Sequence, residues 1–465
     1  MSNQSHDRVL PLKVKLGFPM ANIGPTLQTL IQMYFLLYFY TNILGISGTA
    51  AATIILIARI WDFINDPLMG VLVERTNKPS KCIWWMKVSI VPVCVFMVLA
   101  YAAPNISYPM KVVWAAVTFV CLGMSQTAYS IPINTLRAKL TSNNVERQKL
   151  NQFEQVFSTI LNAAVPSITM PLVAVLSATN ENAAFTKLAA IYAAVYFIFT
   201  LIGLVLLKGS EIDDDEDIQS MQTGEKVKIS DILHALAVNK IALGILAAQV
   251  VHMLFSSLSG SVLLYYCQYN LGDVNLMSIT SAVGSFSGLL PLLFIVPLYK
   301  KIGNAGIAIV GNIIAIATLI VRFFTHDGSA MIFISMSIIE GIGIDMVSMV
   351  FMQNLMDSIV YGEWKTGKKN VPVLMSAYGI GTKIGLAFGT TFAGYIIGLT
   401  TFDAEATEQT AGALSALFHL NVTAPMLMYV FMAVIFFMVL KLEKKIPQMQ
   451  AEIDAGTNPG AKNKA

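Results

Sequence analysis

The chain has 465 residues, of which 55% are hydrophobic and only 12% charged. Soluble domains carry about 25% charged residues, so an ordinary water-soluble enzyme, a disordered chain and a nucleic-acid binder are all excluded. A net charge of +3 calls for no polyanionic partner. Cys82, Cys94, Cys121 and Cys267 stand singly in apolar runs, without CxxC or Cys/His spacing. They read as small core residues rather than as a disulfide framework or a zinc site.

A helical bilayer crossing takes about 20 apolar residues. Such segments occupy 16–43, 47–73, 83–103, 111–136, 152–177 and 186–207, and after a polar break 240–270, 277–299, 303–324, 329–358, 373–399 and 413–441. None shows the residue-by-residue alternation of a barrel strand. The expected fold is an all-α polytopic membrane protein of about twelve transmembrane helices in two six-helix halves, 1–208 and 239–445. A cytoplasmic linker, 209–238, joins them, and 446–465 forms a cytoplasmic tail. The amino-terminal stretch MSNQSHDRVLPLKVK lacks the apolar core and cleavage site of a signal peptide.

Lysine and arginine fall on one side of these segments: Arg8, Lys13 and Lys15; Arg75, Lys78 and Lys81; Arg137, Lys139, Arg147 and Lys149; Lys300 and Lys301; Lys365, Lys368 and Lys369; Lys441, Lys444 and Lys445. That bias marks the cytoplasmic side and puts both termini there. The acidic run Asp213–Asp217 reads as solvated linker, and SDILHAL (230–236) as a short interfacial helix. Six helices on either side of a polar linker is the arrangement of transporters built from two repeats.

Ionisable side chains inside a crossing are costly and are candidates for function. The richest stretch is IARIWDFINDPLMG, residues 57–70. At helical spacing Arg59, Asp62 and Asp66 form one stripe. Two carboxylates a turn apart in a low dielectric do not both ionise cheaply, so a cation sits with them or one is protonated. The bland reading, a fixed Arg–Asp clamp, stays open here.

RIWDFINDPLMG, followed by Glu74-Arg75-Thr76 and a basic loop, resembles the helix II signature of the glycoside–pentoside–hexuronide:cation symporters. That family belongs to the major facilitator superfamily and includes the melibiose permeases. YGEWKTGKK (361–369) resembles the family's loop after helix X. Smaller echoes are YFYTN, Ile131-Pro132, ERQKL (146–150) and YYCQYNLGD (265–273), and the likeness runs in register over about residues 15–442.

The resemblance implies that Asp62, Asp66 and Thr127 bind a coupling cation, H⁺ or Na⁺, with no other cofactor. It implies that Lys383 links the ion and solute regions, and that Arg59 and Glu363 tie helices and loops together. Departures bear on the solute. ANIGPTLQ (21–28) carries no charge where melibiose permeases have a sugar-binding aspartate, and Asn22 replaces an aspartate common in the family. Ser130, Asn134 and Gln155 stand where the family has an aspartate, a tryptophan and an arginine. Gln28, Gln32, Ser130, Asn134 and Gln155 are thus left as neutral hydrogen-bonding candidates.

His252, Glu340 and Asp345 are additional polar groups in the second half. His252 and Asp345 are candidate solute ligands, with core packing the bland reading for the histidine. Asp345, between small neighbours, could line a cavity or pair with Lys383. Glu154 is expected to pair with Arg147 or Lys149. The glycines of AYGIGTKIG (377–385) read as helix-packing or bending positions rather than a nucleotide loop.

The expected function is cation-coupled symport of a sugar, glycoside or related small polar solute by alternating access, in a bacterial cytoplasmic (inner) membrane. The expected protein is monomeric, binds no nucleic acid and is not an enzyme. The alternatives are a family member moving a non-sugar or acidic-sugar solute, and a uniporter or exchanger that has lost coupling.

Overall fold

The computed structural model describes residues 9–141, 144–177, 181–211, 236–288, 290–367, 371–403, 406 and 408–462. Arg8, the run Asp213–Asp217, residues 230–235 of the expected interfacial helix, and Lys368 and Lys369 lie outside the described residues. Among the described residues the chain is helical, without strands. The first six helices are α1 (Leu12–Tyr38), α2 (Gly48–Arg75), α3 (Lys81–Ala100), α4 (Tyr108–Leu140), α5 (Asn144–Ser177) and α6 (Glu181–Leu206). They are followed by α7 (Lys240–Tyr265), α8 (Asn275–Ser287), α9 (Leu290–Thr325), α10 (Ala330–Thr366) and α11 (Val371–Leu399). Last come α12 (Ala411–Phe418), α13 (Ala424–Glu443), α14 (Ile446–Asp454) and α15 (Pro459–Lys462).

Nine helices among the described residues are long and apolar enough to cross a membrane by length and composition alone. The remaining crossings come from α1, α2 and the stretch from α8 to Gly303. There α9 breaks at an extended, positive-φ residue (φ 73°, ψ −179°) that only glycine adopts readily. The last crossing is α12 and α13 joined through a π-helical segment, His419–Thr423. The architecture is therefore about twelve transmembrane helices.

Two compact units are present. The first comprises Met1–Gln219 and Thr391–Ala413, the second Ser220–Thr390 and Leu414–Ala465. The end of α11 thus groups with the first unit, whereas the halves read from the sequence, 1–208 and 239–445, keep α11 whole.

In the first unit α1 packs along α5 and α6, α2 on α4, and α3 on α4 and α6. Gly203 lets α6 approach α1 closely: a Cβ there would stand 2.5 Å from the Ala21 amide nitrogen. Phe18, Cys82, Met86, Tyr129 and Leu136 are among the buried residues of its core, and the Tyr129 hydroxyl donates to Ala21 O at 2.7 Å. In the second unit α9 packs on α10 and α13, α7 on α10 and α13, and α8 on α10. Gly381, Gly385 and Gly389, one helical turn apart, seat α11 against α7. A Cβ at Gly385 would lie 2.5 Å from Val250 O and one at Gly389 2.2 Å from Leu254 O. Small residues at that spacing allow backbones to touch where lipid supplies no hydrophobic drive between helices.

The two units repeat local devices that apolar patterning does not reveal. Leu36-Leu37-Tyr38 leads into a π-helical segment, Phe39–Ile43, and Leu263-Leu264-Tyr265 into another, Tyr266–Asn270. Each ends in Leu-Gly with the glycine at φ 73° (Gly45 and Gly272). The widened hydrogen bonds also correspond: Leu44 N to Phe39 O (2.8 Å) and Ile46 N to Tyr40 O (3.0 Å), Leu271 N to Tyr266 O (3.2 Å) and Asp273 N to Cys267 O (3.0 Å).

A second repeated device is a glutamate at a helix amino terminus, where unsatisfied N–H groups attract negative charge. Glu211 accepts from the amides of Cys82 (3.0 Å) and Ile83 (3.2 Å). Glu443 accepts from those of Asn304 (2.5 Å) and Ala305 (2.9 Å).

Candidate functional site

Helix α2 is started by Ser47, whose hydroxyl accepts from Ala50 N at 3.2 Å, and runs unbroken through Asp66-Pro67. Its register presents Arg59, Asp62 and Asp66 to α1 and α4. The Arg59 guanidinium donates to Asp62 Oδ2 from Nη1 (3.3 Å) and to Gln32 Oε1 on α1 from Nη2 (3.3 Å). It also lies over the Phe119 ring of α4, 6.0 Å from its centroid. One turn further, Thr127 on α4 donates its hydroxyl to Asp66 Oδ1 at 3.0 Å. Gly123, a turn before Thr127, leaves room for Asp62: a Cβ there would stand 3.1 Å from its Oδ1.

Gln32, Arg59, Asp62, Asp66 and Thr127 are therefore brought together in the first unit. Two carboxylates and a hydroxyl are hard oxygen donors, suited to a proton or a small monovalent cation. No group of three or more His, Cys, Asp or Glu side chains among the described residues could hold a metal ion.

The neutral candidates are arranged less tightly. Gln28 is buried, and its Oε1 has no hydrogen-bond partner among the described residues. Ser130 lies a turn beyond Thr127, its hydroxyl 3.5 Å from Thr127 O. Asn134 on α4 and Gln155 on α5 are exposed. Among the described residues, no hydrogen bond joins either of them to the α2 carboxylates.

Glu154 pairs with Arg137 at 2.6 Å and not with Lys149, while the side chain of Arg147, the other expected partner, lies outside the described residues. Arg137 sits on the last turn of α4 with its guanidinium over Phe18 (5.0 Å), which aims it at α5. Lys149 instead meets Glu146 (2.8 Å), a buried carboxylate that also accepts from Lys15 (2.7 Å) and from Leu10 N (3.0 Å). Hydrogen bonds from Lys149 and then Lys15 hold the Glu146 carboxyl well below the usual range, at about 2. Sequence reading missed this clasp, although ERQKL was its local signal.

In the second unit His252 is buried on α7, with Nε2 3.1 Å from the Ser348 hydroxyl of α10 and its ring 5.3 Å from Phe351. Its Nδ1 is buried without a partner among the described residues. Gln249, a turn earlier, donates to Thr382 on α11 at 3.4 Å. Asp345 makes no hydrogen bond or ion pair among the described residues, so the suggested pair with Lys383 is not formed; its carboxylate fills the space beside Gly288. Lys383 is exposed on α11.

Arg322 on α9 holds Glu340 at 3.2 Å in a network with Asp327, two residues the sequence reading passed over. An arginine inside the apolar run 303–324 was the available signal. Glu363 lies half-buried near the end of α10, where its carbonyl accepts from Gly367 N at 2.7 Å. The neighbouring Trp364 anchors the folded tail. Its indole donates to Glu452 (2.6 Å), and Asn458 donates to its carbonyl (3.0 Å).

About twelve helices, repeated devices in two units and a charged stripe set inside a crossing define a multi-pass secondary transporter of the major facilitator type. Solved transporters share this fold. A bacterial homologue of the human lysosomal transporter Spinster matches with a TM-score of 0.60 at 12% identity, over 94% of this chain and 97% of that one. A bacterial homologue of the human drug peptide transporters PepT1 and PepT2 also reaches 0.60 at 12% identity, over 95% and 98%.

The chain belongs to the MFS/sugar transport protein family, whose pattern matches residues 17–444, and it falls among the glycoside–pentoside–hexuronide:cation symporters. It is a transporter and not an enzyme. Relatives include the isoprimeverose transporter of Lactiplantibacillus pentosus, 27% identical over 97% of this chain and 92% of that protein. The inner membrane symporter YicJ of Escherichia coli (strain K12) is 25% identical over 92% of this chain and 91% of its own length.

Proposed function

We propose that the cation driving transport binds at Asp62, Asp66 and Thr127, and that the solute is a neutral sugar or glycoside. The observation that carries this reading is the geometry on α2. Arg59 donates to Asp62 and to Gln32, and Thr127 donates to Asp66. Two carboxylates and a hydroxyl brought together inside a crossing suit a positive charge arriving from solution.

Gln28, Gln32, Ser130, Asn134 and Gln155 supply amide and hydroxyl groups to the solute, each neutral hydrogen bond contributing about 1 kcal/mol. His252, Asp345 and Lys383 are the solute-binding candidates of the second unit, and Arg59 and Glu363 hold helices and loops in place. The name of the L. pentosus relative supports isoprimeverose as the first solute to try. The chain works as a monomer in a bacterial cytoplasmic membrane, with both termini and the linker 209–238 on the cytoplasmic side. H⁺ and Na⁺ are the candidate coupling ions.

Uptake of labelled isoprimeverose and a panel of simple glycosides into membrane vesicles tests this. Accumulation above the external level only under an inward H⁺ or Na⁺ gradient is expected. Equilibration of the same solutes with no response to either gradient would contradict coupling, and accumulation of only anionic sugars would contradict the neutral solute.

A further inference from the structure

A second set of ionisable groups, unused in the reading above, surrounds the turn from α9 to α10 in the second unit. Arg322 is 3% exposed. Its Nε and Nη2 donate to the Asp327 carboxylate (3.0 to 3.2 Å), its Nη1 to Glu340 Oε2 (3.2 Å) and its Nη2 to Asn421 Oδ1 (2.7 Å). The Tyr266 hydroxyl donates to Asp327 Oδ2 at 2.6 Å. The rings of Phe333 and Tyr266 cover the guanidinium at 5.0 and 5.9 Å. Asp327 and Glu340 are 3% and 8% exposed.

One guanidinium serves two carboxylates here, so with both ionised the cluster carries a buried negative charge, which is unfavourable unless it is neutralised. The groups facing Glu340 are Arg322 from α9, Asp327 from the turn and Tyr429 from α13, while Tyr266 from the π segment after α7 faces Asp327 and Arg322. On its own helix Asp345 follows five residues later. His326 beside the turn is exposed and packs against the Phe418 ring (4.9 Å), α8 carries no titratable residue, and His252 of α7 bonds to Ser348 two turns away. Arg322 is the only cationic group facing Glu340 among the described residues.

Both oxygens of Asp327 are already taken by the guanidinium and the phenol, whereas Glu340 receives a single N–H. The Tyr429 hydroxyl is fully buried, has no hydrogen-bond partner among the described residues and lies within electrostatic reach of Glu340 and Asp345. A metal cation would need several converging oxygens and would meet the guanidinium on the same carboxylate. A proton needs one oxygen. At the corresponding place in the first unit stands Phe39, in the position of Tyr266, and it packs against Tyr101 (5.3 Å) and Phe185 (5.6 Å).

We propose that Glu340 is a proton-binding site, taking up one proton while Arg322 and Asp327 remain an ion pair. The site is separate from the cation site on α2 and does not rest on it.

Infrared spectroscopy of the purified full-length protein tests this through the carbonyl stretch of a protonated carboxyl. At neutral pH the wild type is expected to show that band, sensitive to deuteration and weakening as pH rises. Glu340→Gln should lose it, while Asp62→Asn and Asp66→Asn should keep it. Carboxyl-labelled glutamate should shift the band in the wild type without any substitution, so the test survives if Glu340→Gln does not fold. No band at neutral pH, a band undiminished in folded Glu340→Gln, or a band that moves with labelled aspartate instead would overturn the assignment.

Discussion

Thr127 contributes a single hydroxyl to Asp66, at 3.0 Å, and that bond has a measurable weight. Removing one partner of a part-buried hydrogen bond to a charged group costs about 1.5 kcal/mol or somewhat more. Thr127→Val is therefore expected to raise the cation concentration for half-maximal uptake by roughly 10-fold, and Thr127→Ser to restore it. Cation titrations of uptake in vesicles check this. Glu146 makes a different prediction. Its carboxyl titrates at about 2 because Lys149 and Lys15 favour the charged form. The clasp therefore contributes its full stability above the ordinary glutamate range, about 4.3, and loses it as pH falls toward about 2. Wild type and Glu146→Gln should differ in melting temperature at neutral pH and converge in strong acid. A constant difference across that window would show that the ion pairs are not its source.

At the scale of the helix, the close approach of α11 to α7 is the most exposed to test. The atom that a Cβ at Gly385 would meet is a backbone carbonyl, Val250 O, which cannot rotate away. Gly385→Val is expected to cost about 1–3 kcal/mol through overpacking, read as a lower melting temperature, while the same change at Gly379, where nothing lies within 4 Å, should cost far less. Removing one member of a buried ion pair costs about 3–5 kcal/mol, so Arg322→Ala should destabilise more than either glycine variant in the same assay.

Helix existence was readable from apolar run length alone, because a bilayer crossing demands it. The break near Gly303 was marked by Lys300-Lys301 between the runs 277–299 and 303–324, whereas the π segments and the tail helices were not readable. The π segments leave hydropathy unchanged, and α14 is a polar helix tied down through Trp364, which bonds to Glu452 and Asn458. The site divides the same way. Spacing put Arg59, Asp62 and Asp66 on one stripe, and the resemblance supplied Thr127. The partners taken across helices (Gln32 for Arg59, Arg137 for Glu154, Arg322 for Glu340) depend on packing that no single helix encodes.

For the whole molecule, the account is one of linkage. If cation and solute each raise the other's affinity, they do so by the same factor, and the cation gradient then drives accumulation through alternating access. An Asp62 variant loses the carboxylate that faces Arg59 and Gly123, so it should lose the driving force without losing the solute groups. The most direct measurement compares gradient-driven accumulation with solute exchange in vesicles carrying wild type or Asp62→Asn, using labelled isoprimeverose. The account predicts that accumulation disappears in the variant while exchange of internal for external solute persists. Accumulation under a cation gradient that is as strong in Asp62→Asn as in wild type would contradict it.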